Sequence, residues 1–207
     1  MTRLCFIHGW AYGPDIWTDI EKELQGYDIT KFDLGFFGDE FTPIGSYDVV
    51  ITHSYGLMWL LKNEAITFQK LVSISAIASF VKTDTLPGGV PKSQIRAMRG
   101  QLSNNPKALL EGFYSACGDK DMTASNTPNI PKLDAALHDM ATLDLREKIH
   151  PLNVSALASS EDKIVSAELT QENFASKPIL WHDSASHILP KTHPQWCANL
   201  IEDFINA

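Results

Sequence analysis

Nine residues, Asp48-Val-Val-Ile-Thr-His-Ser-Tyr-Gly56, constrain the fold more than any other part of the chain. Val49 to Thr52 is a short run of β-branched residues, the composition of a buried strand. It stops abruptly at Ser54, and an apolar helix begins in Leu57-Met58-Trp59-Leu60-Leu61. Such a turn lifts a serine hydroxyl above the end of a sheet and aims the next backbone N–H, here that of Tyr55, at the same spot. The helix N-terminus behind it favours developing negative charge. The usual form of the turn is Gly-x-Ser-x-Gly, and Thr52 occupies the first glycine position. The turn must then open slightly, or the residue facing Thr52 must be small. Taken alone, a serine between a strand and a helix most often caps the helix, so a reactive Ser54 needs partners elsewhere in the chain.

The flanking sequence supplies strands and helices in alternation. Arg3-Leu-Cys-Phe-Ile7 reads as a strand that ends in His8-Gly9-Trp10, and Pro14 opens a helix through Leu24. Tyr27 to Asp33 reads as a second strand, followed by the glycine-punctuated loop Asp33-Leu-Gly-Phe-Phe-Gly38. The connection from there to the Ser54 strand is close to the dozen residues a parallel crossover requires, too short for a full helix. Lys70 to Ala76, Asn153 to Ser159 and Pro178 to His182 read as three more strands. Ser166 to Phe174 reads as a short helix, and His193-Pro194 opens a final amphipathic one. Between the fourth and fifth strands, residues 79–150 lack strand character and carry helices over Gln94–Leu102, Lys107–Cys117 and Pro131–Leu143. Gly118–Pro131 is polar and turn-rich and is expected to be a mobile loop. The pattern predicts an α/β fold of about six parallel strands with helices on both faces. Residues 1–78 and 151–207 would form its core, and 79–150 a helical cap over the carboxyl ends of the strands.

Composition excludes several classes. A chain of 207 residues with 44% hydrophobic and 20% charged residues suits one globular domain. Its net charge of −8 argues against nucleic acid as a partner. No apolar run reaches the ~18 residues of a membrane span, and the N-terminus enters a strand directly, without the pattern of a signal peptide. Cys5, Cys117 and Cys197 are odd in number and widely spaced, which points to a reducing, cytoplasmic compartment and to no metal site. Residues 82–110 run against the acidic trend: Lys82, Lys92, Arg96, Arg99 and Lys107 face only Asp84. That basic island is either a solvated helix face or a docking patch for an acidic partner.

The partners of Ser54 come from the last two strands. A serine nucleophile needs a base, and the base an orienting acid. Asp162 follows the fifth strand and His187 the sixth, and the order Ser54, Asp162, His187 fits a nucleophile–acid–base series at strand ends. Glu161 is the rival acid. His8 is expected to hold the loop backbone, and His53 to pack.

With these residues in hand, the chain resembles the α/β-hydrolases. Within them it is similar to the pimeloyl-acyl-carrier-protein methyl ester esterases of biotin synthesis. His8-Gly9-Trp10 with Trp17, the Asp33–Gly38 loop, Gln101–Pro106 through Glu111–Tyr114, Leu143–Arg146 and Asn153–Ser155 carry the likeness over nearly the whole chain. It departs in lacking an N-terminal hairpin, in its short crossover and in Thr52. The resemblance implies a serine carboxylesterase with Ser54, Asp162 and His187 as catalytic residues and the N–H groups of Trp10 and Tyr55 as the oxyanion hole. Trp10, Tyr55, Phe113, Cys117 and Met98 would contact the acyl chain, and Arg96 and Arg99 would dock an acyl carrier protein. It implies no cofactor and a monomer. A small-molecule esterase or thioesterase without a carrier is the alternative, ahead of a non-catalytic hydrolase-like binding protein. Family members that use an aspartate nucleophile, the dehalogenases and epoxide hydrolases, do not fit a serine at position 54.

Overall fold

The computed structural model describes residues 1–64, 66–119, 127–184 and 186–207. Six strands form one parallel sheet: β1 (Arg3–Ile7), β2 (Asp28–Phe32), β3 (Gly45–His53), β4 (Ile66–Ile74), β5 (Val154–Ser159) and β6 (Ile179–His182), in the order β2-β1-β3-β4-β5-β6. The chain reverses its direction of travel across the sheet between β1 and β3. A 3-10 turn at Pro14–Trp17 and helix α1 (Thr18–Glu23) connect β1 to β2, while α2 (Tyr55–Asn63) connects β3 to β4. Right-handed crossovers in opposite directions put α1 and α2 on opposite faces. The buried apolar residues of the strands, among them Phe6, Ile7, Val50, Ile51, Val72 and Ile74, fill the interior between these layers.

The β2–β3 connection carries no helix, only a bridge between Asp33 and Phe41. β3 and β4 both begin four residues earlier than their apolar runs suggested, pairing Gly45 with Ile66 and Tyr47 with Phe68. β4 also stops two residues sooner, at Ile74, because Ser75 turns the chain with a φ of 47°.

Between β4 and β5 lie α3 (Lys92–Asn104), α4 (Pro106–Cys117) and α5 (Ile130–Thr142), followed by a 3-10 turn at Arg146–Ile149. Asn105 and Asn129 cap α4 and α5 by accepting from Ala108 N–H and Lys132 N–H. Half of the loop expected to be mobile, Gly118–Pro131, namely residues 120–126, lies outside the described residues. After β5 come α6 (Ala167–Asn173), the short α7 (Leu189–Thr192) and α8 (Pro194–Asn206). α1 packs on both α7 and α8. No helix among the described residues is long and apolar enough to cross a membrane, and Cys5, Cys117 and Cys197 are buried and unpaired.

Candidate active site

A parallel sheet gathers all its carboxyl ends on one edge, and ligands bind outside that edge. Trp10 lies three residues past β1, Ser54 directly after β3, Asp162 three residues past β5 and His187 five residues past β6. Four segments distant in sequence thus meet at one edge.

Ser54 adopts φ 52° and ψ −123°, a conformation that costs a non-glycine residue strain. Its surroundings hold it there. Ser54 N–H donates to the Ile74 carbonyl (3.1 Å), and Ile77 N–H donates back to the Ser54 carbonyl (3.3 Å). Two glycines permit the close approach. A β-carbon at Gly56 would lie 2.4 Å from the Ile7 carbonyl oxygen, and one at Gly9 would lie 2.8 Å from the Ser54 β-carbon. The elbow therefore presses on the end of β1 where Trp10 follows. The residue facing Thr52 on β4 is Ser73, a small one as the sequence required, and the two hydroxyls share a hydrogen bond (3.1 Å).

His187 Nε2 is 3.0 Å from Ser54 Oγ, and His187 Nδ1 is 2.8 Å from Asp162 Oδ2. Burial alone would push the Asp162 carboxyl up. The His187 charge, its hydrogen bond and the N–H groups of Val165 and Ile164 outweigh burial and hold the carboxyl below its ordinary range. An ionised carboxylate only accepts, so Nδ1–H donates to Asp162 and Nε2 is left to accept the Ser54 hydroxyl. The arrangement can take a proton from Ser54 and hold it as an imidazolium beside a buried carboxylate. Glu161, the rival acid, is exposed.

The His187 backbone is fixed on both sides. Its N–H donates to the Cys117 carbonyl (3.4 Å), and its carbonyl accepts from His53 Nε2 (3.0 Å). His53 thus does more than pack. His8 holds backbone, as expected: its Nε2 accepts from Leu34 N–H (3.0 Å) and its Nδ1 meets the Gly9 carbonyl (3.0 Å).

A cavity of about 430 Å³ opens onto Ser54. Its walls are mostly apolar and come from α3, α4 and α5, with Met98, Phe113, Leu137 and Met140 among them, and from Trp10, Ile77 and Ile164. Phe113 meets the Trp10 ring edge-on at 4.8 Å between centroids. Gln94 and Gln101, one heptad apart on α3, and Lys163 bring polar groups to the same space. The i, i+4, i+7 pattern Gln94-Met98-Gln101 was visible in the sequence as one helix face but carried no sign of what it faced.

Two of the expected acyl contacts are not in the wall. Cys117 is buried away from the cavity, and burial pushes its thiol well up; its carbonyl serves the site, by holding His187. The Tyr55 side chain points to α5, where its hydroxyl donates to Asp139 (2.9 Å). Its N–H is a separate matter: Tyr55 opens α2, so that group has no intrahelical acceptor. The Trp10 N–H donates to no protein acceptor among the described residues. Arg96 is exposed on α3, whereas Arg99 makes a two-point pair with Asp134 (2.7 and 2.7 Å).

A sheet of this order, with a strained serine after β3 and a histidine after its last strand that faces it, has the α/β-hydrolase fold. Among solved structures, the esterase EaEST from Exiguobacterium antarcticum is similar over 100% of this chain and 92% of that one, with TM-score 0.79 and 16% identity. The enol-lactonase from Burkholderia xenovorans LB400 is similar over 100% and 92%, with TM-score 0.75 and 11% identity. Among curated proteins, the pimeloyl-[acyl-carrier protein] methyl ester esterase of Aeromonas hydrophila is 24% identical over an alignment of 248 residues, covering 98% of this chain and 94% of that protein. No family model matches the chain. The carboxylic ester hydrolase expected from the sequence is in keeping with these relatives.

Proposed function

We propose that the chain is a serine carboxylesterase that works through an acyl-enzyme on Ser54. The observation that carries this reading is the relay from Ser54 through His187 to Asp162, at 3.0 and 2.8 Å, beside an apolar cavity. His187 Nε2 takes the Ser54 proton as Oγ attacks the ester carbonyl carbon. The N–H groups of Trp10 and Tyr55 receive the oxyanion. The tetrahedral adduct collapses, and His187 gives its proton to the departing alcohol, leaving the acyl group on Ser54. His187 then takes a proton from water, the resulting hydroxide attacks the acyl carbon, and the acid leaves as Ser54 regains its proton. Asp162 stabilises the imidazolium in both halves.

The substrate proposed is the methyl ester of a pimeloyl chain on acyl carrier protein, the substrate named for the Aeromonas hydrophila relative. In support, α3, α4 and α5 supply apolar walls that suit an acyl chain. Lys82, Lys92 and Arg96 of the basic island make no ion pair among the described residues, which suits an acidic carrier. The unpaired cysteines fit a cytoplasmic enzyme. A second reading, an esterase for small free esters, is favoured by the Arg99–Asp134 pair, which neutralises one of the two arginines assigned to docking. Fluorophosphonate labelling, lost in Ser54→Ala, tests the nucleophile. Hydrolysis of carrier-bound against free methyl esters separates the substrates, and so does complementation of a biotin-requiring strain that lacks its methyl esterase.

A further inference from the structure

Two side chains that flank Ser54 are tied to one helix of the insertion. The Trp10 indole Nε1–H donates to the Leu133 carbonyl (3.0 Å), and the Tyr55 hydroxyl donates to Asp139 Oδ2 (2.9 Å). Both acceptors belong to α5. Six residues of helix separate them by about 9 Å along a rigid axis. Asp139 is itself fixed, because Lys62 Nζ reaches both of its oxygens at 2.8 Å. Tyr55 and Lys62 lie two turns apart on one side of α2, so Asp139 is clamped against the helix that begins at the elbow. Trp10 and Tyr55 are buried, and Asp139 nearly so. Burial and the neighbouring Asp139 keep the Tyr55 phenol protonated, and so a donor.

We infer that α5 is a strut that positions the two oxyanion donors, with Asp139 as the positioning residue for the Tyr55 N–H and the Leu133 carbonyl as its counterpart for Trp10. This rests on the reading of Ser54 as the nucleophile. Each N–H sits on the main chain of a residue whose side chain is held by α5. Their separation is then set by one helix rather than by two independent loops. Leu137 and Met140 of α5 also line the cavity. Alignment of donors with the oxyanion acts on the transition state, not on ground-state binding.

The test uses Tyr55→Phe, which deletes one oxygen and keeps the N–H, together with Asp139→Ala and Asp139→Asn. In the first two, kcat for a medium-chain p-nitrophenyl ester falls about tenfold with KM within about twofold, short of the ~100-fold or more of a deleted donor. Affinity for phenylboronic acid, which forms a tetrahedral adduct on Ser54, falls by a similar factor. Asp139→Asn still accepts from the phenol and recovers most of the loss. Unchanged kcat and boronate affinity in Tyr55→Phe overturn the strut, as does a loss in Asp139→Asn equal to that in Asp139→Ala. Wild-type labelling by a fluorophosphonate separates the two failures. Labelling with unaffected Tyr55→Phe kinetics sinks the strut alone, and no labelling sinks the nucleophile and the strut with it. Should Asp139→Ala not fold, Tyr55→Phe decides.

Discussion

The imidazole of His53 donates its Nε2 hydrogen to the main-chain carbonyl of His187, 3.0 Å away. The residue before Ser54 therefore holds the loop that carries the histidine facing Ser54. Its own Nδ1 is buried and has no hydrogen-bond partner among the described residues. Burial, and after it the His187 charge, pull the His53 pKa down to about 3. An unfolded histidine binds its proton near pH 6.5. As pH falls below that value the unfolded chain gains a proton that the folded chain refuses. Stability present at pH 7 is thus lost between about pH 6.5 and 3, at up to about 1.4 kcal/mol per pH unit. His193 contributes in the same sense, through burial and its neighbour His182. Thermal unfolding from pH 7 to pH 4.5 will show this slope, and His53→Gln, which keeps a donor toward His187, will flatten it. An equal slope in the variant would contradict the assignment.

The second prediction concerns Asp162. With asparagine in its place, the side-chain amide can donate to His187 Nδ1 and so leave the hydrogen on Nε2, facing Ser54. The hydroxyl then has no acceptor. Asp162→Asn is expected to lower kcat by about 10⁴-fold with little change in KM. Glu161→Gln, at an exposed neighbour, is expected to leave kcat unchanged. Steady-state kinetics on a p-nitrophenyl ester decide it, and the reverse ranking would make Glu161 the acid.

Thr52 gives a third. The usual elbow has glycine there, yet restoring it should destabilise this chain. Thr52 is fully buried within β3, and its hydroxyl meets that of Ser73. Thr52→Gly adds unfolded-state entropy worth about 0.5–1 kcal/mol. It also leaves the Ser73 hydroxyl unpaired at about 1–3 kcal/mol. Gly56→Ala is expected to be worse still for catalysis, since its β-carbon would collide with main chain at the end of β1. Urea unfolding measures the first effect, and an unaltered midpoint for Thr52→Gly would refute it.

These cases show what the sequence could reveal. The strands were legible because each is an apolar run with turn residues after it, and Ser54, Asp162 and His187 stood out because each follows such a run closely. The first residues of β3 and β4 were hidden. Ser46, Asp48 and Thr67 are polar, and only the pairing of the two strands makes that stretch extended. The support around the site was hidden for a different reason. The bond from His53 to His187 spans 134 positions, that from Trp10 to Leu133 spans 123 and that from Tyr55 to Asp139 spans 84. No local pattern encodes such pairs. Cys117 was misjudged on the same account: helical spacing put it near Phe113, but its side chain turns toward Tyr12 and away from the cavity.

The last prediction separates the two substrate readings through charge. If an acidic carrier docks on α3, Arg96 is the arginine free to meet it, whereas Arg99 is engaged with Asp134 on α5. Arg96→Glu changes the surface charge by two units without touching the cavity wall. It should lower kcat/KM for a carrier-bound ester several-fold, chiefly through slower association, while kcat/KM for the free methyl ester stays constant. Raising ionic strength from about 0.01 to 0.15 M shortens the screening length from about 30 to 8 Å, and should remove most of the difference between wild type and variant. Arg99→Glu is a poor probe, because it sets a carboxylate against Asp134 and loosens the α3–α5 contact. Equal, salt-independent kcat/KM values for wild type and Arg96→Glu on the carrier-bound ester would leave the small-ester reading standing.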